Sequence, residues 1–224
     1  MFSFESGAQL IQQLTLLGEG ALTSLRLFFL TLLFALPLGL LIALGRMAPA
    51  KWLNTPIRLF ILIMRGTPLL LQLIFVYFAP FYMLPEGWKF NLPRFSAAVL
   101  AFTLNYAAYF AEIYRGGIES IPQGQYEAAA VLGFTKGQTF FRIILPQVIK
   151  RILPPISNEV ITLVKDTALI QVLGISELFR VAKNEASRLF STTPLFIAGL
   201  FYLVMNWLVT KAFEAAEKKL SYYK

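Results

Sequence analysis

The chain contains no cysteine and no histidine among its 224 residues. The first absence excludes disulfides, thiol nucleophiles and thiolate metal sites. The second removes histidine-ligated zinc and the usual acid–base group near neutral pH. Most membrane-enzyme chemistries thereby lose their reagents, although an Asp/Glu dyad keeps its own. A phosphate loop of the G-x-x-x-x-G-K-[ST] type is also missing, so any use of ATP falls to another chain. Charge is scarce: 14% of the residues are charged against 57% hydrophobic, which argues against a soluble protein. No repeat, low-complexity stretch or second domain interrupts residues 1–224.

What the sequence does have is long apolar runs. Four carry no charge: 27–45, 66–85, 95–111 and 189–210. Crossing about 30 Å of hydrocarbon at about 1.5 Å per residue takes roughly 20 residues, so each is long enough or nearly so. A fifth, about 152–176, is broken by Glu159, Lys165 and Asp166. The expectation is an all-α integral membrane protein with five transmembrane helices, because lipid offers the backbone no hydrogen-bond partner and no barrel-like alternation appears. The first 25 residues hold no Lys or Arg, unlike a cleavable signal with a basic start, so the first span is expected to remain as its own anchor.

Placing the N-terminus outside puts 12 basic residues on inner segments and 5 on outer loops, with Arg26, Arg65 and Lys165 uncounted in or near spans. The positive-inside rule therefore favours N-out, C-in. Topology and anionic lipid account for the net charge of +8, and no nucleic-acid partner is needed. Between spans the pattern predicts an amphipathic outer segment over 1–18, a tight inner loop over 46–56 marked by Pro49 and Pro56, and an outer loop over 83–94. A long cytoplasmic interval over 112–151, a polar outer loop over 177–188 and a basic tail over 211–224 complete it.

Residues 126–145 read as two short helices. Gly133 falls where a left-handed C-cap would end the first. Thr135 can cap the second, with Gln138 as its capping-box partner. Phe140, Phe141, Ile144 and Leu145 then form an apolar face, and Pro146 breaks or re-aims the chain toward the membrane. Such a pair can pack on its own spans or serve as a docking knob for a partner's groove.

The phrase Glu127-Ala128-Ala129, then Gly133, then Ile143 and Leu145-Pro146, is similar to the EAA motif of ABC importer permeases in residues and in spacing. Arg65-Gly66-Thr67-Pro68-Leu69, Ala111-Glu112-Ile113-Tyr114-Arg115-Gly116-Gly117 and Val164-Lys165-Asp166-Thr167 resemble the branch that takes up polar amino acids. The resemblance covers essentially the whole chain. It implies the transmembrane-domain fold of a type I importer in a bacterial inner membrane. Residues 127–146 would be coupling helices set in a cleft of a cytoplasmic nucleotide-binding ATPase. Glu127 would offer charge, Gly133 the turn, and Phe140 and Phe141 the apolar anchors. The resemblance further implies that no cofactor binds this chain, with ATP and Mg held by the ATPase, and that an extracytoplasmic binding protein delivers the amino acid. A five-helix half is too small to enclose a path, so a second permease subunit, identical or homologous, is expected.

Ionisable residues at membrane depth are functional candidates, since burial costs at least about 2.5 kcal/mol on insertion scales. Asn105, Lys165, Asp166 and Thr167 are the candidate substrate-pathway residues; structural pairing of Lys165 with Asp166, or gating, is the other reading. Arg65 and Glu159 lie at similar depths and are expected to pair across spans two and four, as structure or an inner gate. An ATP-independent secondary transporter or pore is the rival function, and it leaves residues 127–147 without a role.

Overall fold

The computed structural model describes residues 7–220. The first six residues of the predicted outer segment and residues 221–224 of the basic tail lie outside the described residues. Those described form helices and turns, with no strand. In chain order the helices are α1 (Gly7–Met47), α2 (Lys51–Gly66), α3 (Leu69–Tyr82), α4 (Arg94–Glu119), α5 (Gln123–Val131), α6 (Lys136–Thr139), α7 (Leu145–Asp166), α8 (Leu178–Leu189) and α9 (Thr193–Leu220). A π-helical turn (Phe140–Ile144) joins α6 to α7, and a 3-10 turn (Thr167–Leu173) follows α7.

α4 is the central element. It buries Ala97, Ala98, Ala101, Ala107, Ala108 and Ala111 together with Phe102, Tyr106 and Phe110. The alanines let neighbouring backbones approach and the aromatics fill the space between them. α1 lies along it most extensively. At Gly39 a Cβ would sit 2.9 Å from Phe110 Cβ and 3.0 Å from the Ala107 carbonyl, so the crossing needs glycine. The far end of α1 packs on α8, where a Cβ at Gly20 would meet Leu178 Cα at 2.9 Å. Here Glu177, fully buried, caps α8 by accepting from the Phe179 and Arg180 amides at 2.6 Å. Tyr202 of α9 donates to the same carboxylate at 3.2 Å.

Three helices are long and apolar enough to cross a membrane: α1 over Leu10–Met47, α4 and α9. The pair α2 and α3 qualifies as a fourth only if taken together across a 113° bend. α7 carries Lys150, Arg151, Glu159, Lys165 and Asp166 and does not qualify by composition.

Several boundaries differ from the sequence expectation. From Gly7 onward, the outer segment and first span are one 41-residue helix. The inner loop is shorter than 46–56, since α2 starts at Lys51 and takes in Pro56, which leaves the Trp52 carbonyl without its helical donor. The polar stretch 177–188 is α8, whose apolar residues Leu178 and Ala182 are buried. The interval 112–151 is largely the ends of α4 and α7 plus the short helices between them.

Candidate functional site

The bend between α2 and α3 originates in Pro68. Proline lacks the N–H that would reach the carbonyl four residues back, and that carbonyl belongs to Met64. Two side-chain amides take its place: Asn105 Nδ2 at 3.0 Å and Gln72 Nε2 at 2.9 Å. Gln72 Nε2 also approaches the Thr67 carbonyl at 3.1 Å and the Thr67 hydroxyl at 2.8 Å, and its Oε1 accepts from Asn105 Nδ2 at 2.9 Å. The opened backbone is thus held by a connected, partly buried polar network.

Beside this break lies a cavity of about 470 Å³ between α2, α3, α4 and α7. Glu159, Thr162 and Asp166 reach it from one face of α7 at i, i+3 and i+7, while Asn105, Tyr106 and Tyr109 reach it from α4. The Tyr106 hydroxyl donates to Asp166 Oδ2 at 2.8 Å. Two carboxylates, several hydroxyls and an amide give the lining groups that can accept hydrogen bonds from a cation.

A second cavity, about 510 Å³, lies toward the Glu119 end of α4 and shares Tyr109 with the first. Arg46, Arg58, Arg65 and Glu112 line it. Arg115 holds Glu112 most closely, at 2.7 Å from Nη2 and 3.2 Å from Nε. Arg46 and Arg65 each stand at 3.9 Å from the same carboxylate. Arg65 also lies over the Tyr109 ring, 5.2 Å from its centroid.

The structure corrects the pairing expected for Arg65. Its ion-pair partner is Glu112, and no ion pair joins it to Glu159 among the described residues. Equal depth put Arg65 and Glu159 together, but the side chain turns toward α4. Of the four pathway candidates, Asn105 and Asp166 line the first cavity. Asn105 is only 5% exposed, and its amide nitrogen is engaged by Met64 and Gln72. Lys165 is exposed and lies outside the lining of either cavity, while Thr167 is buried and bonds back to the Val164 carbonyl at 2.7 Å. No ion pair forms between Lys165 and Asp166 among the described residues, since consecutive helical residues diverge.

Tyr106, Tyr109, Gln72 and, as a charge hub, Glu112 were missed by sequence reasoning. One signal was available: Asn105, Tyr109 and Glu112 repeat at i, i+4 and i+7 and share a face of α4.

At the same end of the bundle as Glu119, α5 closes at Gly133 with φ +78°. The Phe134 amide donates to Ala129 O and the Gly133 amide to Ala130 O, both at 3.0 Å, forming a Schellman cap. Thr135 and Gln138 form the capping box that opens α6. The apolar residues after it do not share one face. Ile144 is fully buried, Phe140 packs with it against Ile121 and Val148, and Phe141 is 66% exposed. Consecutive helical residues point apart, so Phe140 sides with Ile144 four residues on while Phe141 turns outward. Pro146 does not break the chain either. It sits in the first turn of α7, and the Leu145 amide reaches back five residues to Phe140 O. Outward-facing apolar surface comes from Val131 (88% exposed), Leu132 (73%) and Phe141. Glu127 and Ala128 are exposed beside them, while Ala129 packs inward and Leu145 is half-buried.

With this geometry in place, likeness to known proteins becomes informative. Residues 35–222 match the family described as "Binding-protein-dependent transport system inner membrane component". The arginine transport system permease protein ArtQ of Bacillus subtilis (strain 168) is 37% identical over 214 residues, 94% of each chain. The putative glutamine transport system permease protein GlnP of Rickettsia felis is 34% identical over 97% of this chain and 98% of its own. A crystal structure described as an amino acid ABC transporter with histidines superposes with a TM-score of 0.85 at 33% identity, covering 97% of this chain and 100% of that one. The inward-facing MetNI methionine ABC transporter, at 19% identity, TM-score 0.73 and coverage of 94% and 98%, shares the fold.

Proposed function

Because the chain belongs to the binding-protein-dependent transport system inner membrane component family, we propose that it carries polar amino acids through the bacterial inner membrane by alternating access. The chain is an ABC-transporter permease subunit and not an enzyme; ATP hydrolysis resides on a separate ATPase, and a substrate-binding protein is a partner in general. The proposal adds five spans with the N-terminus outside and the C-terminus inside, α7 being the fifth. It adds a second permease subunit that completes the path, and ATP with Mg bound only on the ATPase.

One observation carries the reading. The two helices that line the acidic cavity, α4 and α7, are also the two that lead into the α5–α6 hairpin. Tyr126 of α5 packs on the cluster of Ile121, Ile144 and Val148, so the hairpin is tied to the ends of both. At Gly117 a Cβ would lie 2.2 Å from Ile152 Cγ2, so α4 and α7 meet there with little room to slide. A push on the hairpin therefore moves α4 and α7 as packed bodies, which is how a motor outside the membrane can open or close a site within it. Residues 127–146, within the interval 112–151, are the coupling segment: Glu127 and Ala128 face the ATPase, Gly133 sets the turn, and Ala129, Leu145 and Pro146 seat the hairpin. Phe141, with Val131 and Leu132, is the apolar anchor, while Phe140 is packed inward. Asp166 and Glu159 face the substrate's ammonium groups, Asn105 holds the cavity wall, and Lys165 and Thr167 flank it.

The test is ATP-driven uptake of labelled amino acids by the reconstituted complex, with Gly133→Pro as the probe. Proline fixes φ near −65° and cannot adopt +78°. Loss of substrate-stimulated ATP hydrolysis in that variant is expected; full stimulation removes the coupling assignment.

A further inference from the structure

The end of the bundle away from the coupling hairpin carries arginines that no carboxylate answers. A Cβ at Gly174, whose φ is +78°, would lie 3.0 Å from Arg94 Nη1 and 3.1 Å from Arg180 Nη1, so two guanidiniums converge on one point. α1 and α4 run side by side in the same direction, from Leu30 and Phe95 on one groove to Gly39 against Ala107. Extending that register outward brings Arg26 near the level of Arg94. None of the three arginines forms an ion pair among the described residues, and only Arg180 is engaged, by the Gln171 carbonyl at 3.3 Å. The carboxylates of this end are committed elsewhere: Glu177 caps α8, Glu185 holds Arg188 at 2.6 Å, and Glu86 stands 3.7 Å from Lys89. Glu19 lies about 10 Å along α1 from Arg26.

Next to these cations an apolar groove of about 550 Å³ opens between the same two helices. Leu30, Phe34 and Leu38 form one wall at i, i+4 and i+8, a stripe that Arg26 begins one turn earlier. Phe95, Val99 and Thr103 form the other, and Phe95 follows Arg94 directly. Phe34 is 48% exposed and Leu100 43%, so the groove is open along its length. Arg26 and Arg94 each immediately precede a charge-free run, 27–45 and 95–111, which places them where hydrocarbon gives way to headgroups. From Leu30 to Leu38 the groove runs about 12 Å, close to the depth of one leaflet, which is half of about 30 Å.

We propose that this groove and its arginines hold an anionic phospholipid, with the phosphodiester on Arg94, Arg180 and Arg26 and one acyl chain between α1 and α4. Charge and depth together select the occupant. An acidic soluble partner meets the arginines but has no chain to lay in the groove. A second permease subunit can cover the groove but leaves the cations unanswered. A phospholipid satisfies both, since guanidinium forks take the phosphate oxygens and every buried CH₂ adds to binding. The headgroup then ties the start of α4 to the Gly174 turn that leads into α8. With the N-terminus outside, as proposed above, it belongs to the outer leaflet.

The test uses the complete complex with its ATPase, purified in detergent and stripped of native lipid. Labelled phosphatidylglycerol and phosphatidylcholine with identical acyl chains are titrated, and inorganic phosphate serves as a competitor. Phosphatidylglycerol is expected to bind about tenfold or more tightly, the effect of two or three cations beside an anionic headgroup. Inorganic phosphate at the same concentration should not displace it. Arg94→Gln combined with Arg180→Gln should abolish the preference and leave phosphatidylcholine binding unchanged, with a smaller loss in Arg26→Gln. Leu100→Trp, which narrows the groove and leaves every arginine in place, should weaken both lipids by about tenfold at an unchanged unfolding temperature. Equal binding of the two lipids by the wild type overturns the proposal, as does displacement by phosphate, the mark of a free-anion site. Full lipid affinity in Leu100→Trp overturns it too, because the groove then holds no chain. Cross-linking of Leu100→Cys to a second permease subunit would show a protein occupant instead and overturn it as well.

Discussion

Asn105 Nδ2 donates at 3.0 Å to the Met64 carbonyl, the one that Pro68 leaves without a helical donor. The same nitrogen donates to Gln72, so both of its hydrogens brace the bend and neither is left for a ligand. Asn105→Leu removes the brace and leaves Gln72 Oε1 without its donor. A destabilisation of about 1–3 kcal/mol is expected for an unsatisfied buried group, read as a lower unfolding temperature of the purified complex. Gln72→Leu should have a similar effect, and the double variant should cost less than the sum, because the two residues share one network. Additive effects would show that the two amides act separately.

The exposed apolar residues of the hairpin predict a different outcome. Val131, Leu132 and Phe141 face outward, so Leu132→Ser and Phe141→Ser should leave the permease's own unfolding temperature nearly unchanged. Co-purification of the ATPase should fall by tenfold or more, on the order of a lost interface anchor. Phe140→Ala should do the reverse, lowering stability first, because that ring packs on the cluster around Ile144. If Phe141→Ser retained the ATPase in full yield, the anchor would lie elsewhere.

The Gly133 turn, the Thr135 capping box and the apolar runs were legible in the sequence because each depends on neighbours a few residues apart. The partition of Phe140 from Phe141 was not, since both are equally apolar and only the tertiary packing on Ile121 and Val148 decides which faces inward. Arg65 was given the wrong ion-pair partner: counting residues along a span says nothing of the side chain's azimuth, which depends on how α2 crosses α4. Lys165 and Asp166 share a depth by residue count, but consecutive helical residues point apart, and only Asp166 lines the cavity. Gln72 was invisible within an apolar run, although the nearby Thr67-Pro68 already implied an orphan carbonyl that some buried amide had to satisfy.

Asp166 and Glu159 carry the prediction most directly tied to transport. Asp166→Asn preserves size and can still accept from the Tyr106 hydroxyl, now 2.8 Å from Asp166 Oδ2. Assembly and basal ATP hydrolysis should therefore persist, while uptake falls by about tenfold or more, as for a lost charged contact. Glu159→Gln should reduce uptake by a similar route, and the loss should be larger for lysine and arginine than for glutamine. Unchanged uptake kinetics in Asp166→Asn would remove that carboxylate from the path.

Two glycines provide a contrast between strain and space. At Gly133 a Cβ would meet nothing within 4 Å, and the difficulty is φ +78° alone. Gly133→Ala should cost about 1–2 kcal/mol, the left-handed penalty for an L-residue, and the hairpin should still form. Gly39 has ordinary backbone angles, but a Cβ would press on Phe110 Cβ at 2.9 Å and on the Ala107 carbonyl at 3.0 Å. Neither is the far end of a flexible chain, so the helices themselves must part. Gly39→Val adds two further methyls to that crossing and should cost at least the roughly 1–3 kcal/mol typical of overpacking. The expected result is a clear fall in yield and unfolding temperature with the ATPase-docking surface unaltered. An unfolding temperature equal to wild type in Gly39→Val would mean that α1 and α4 are less tightly joined than their backbones indicate.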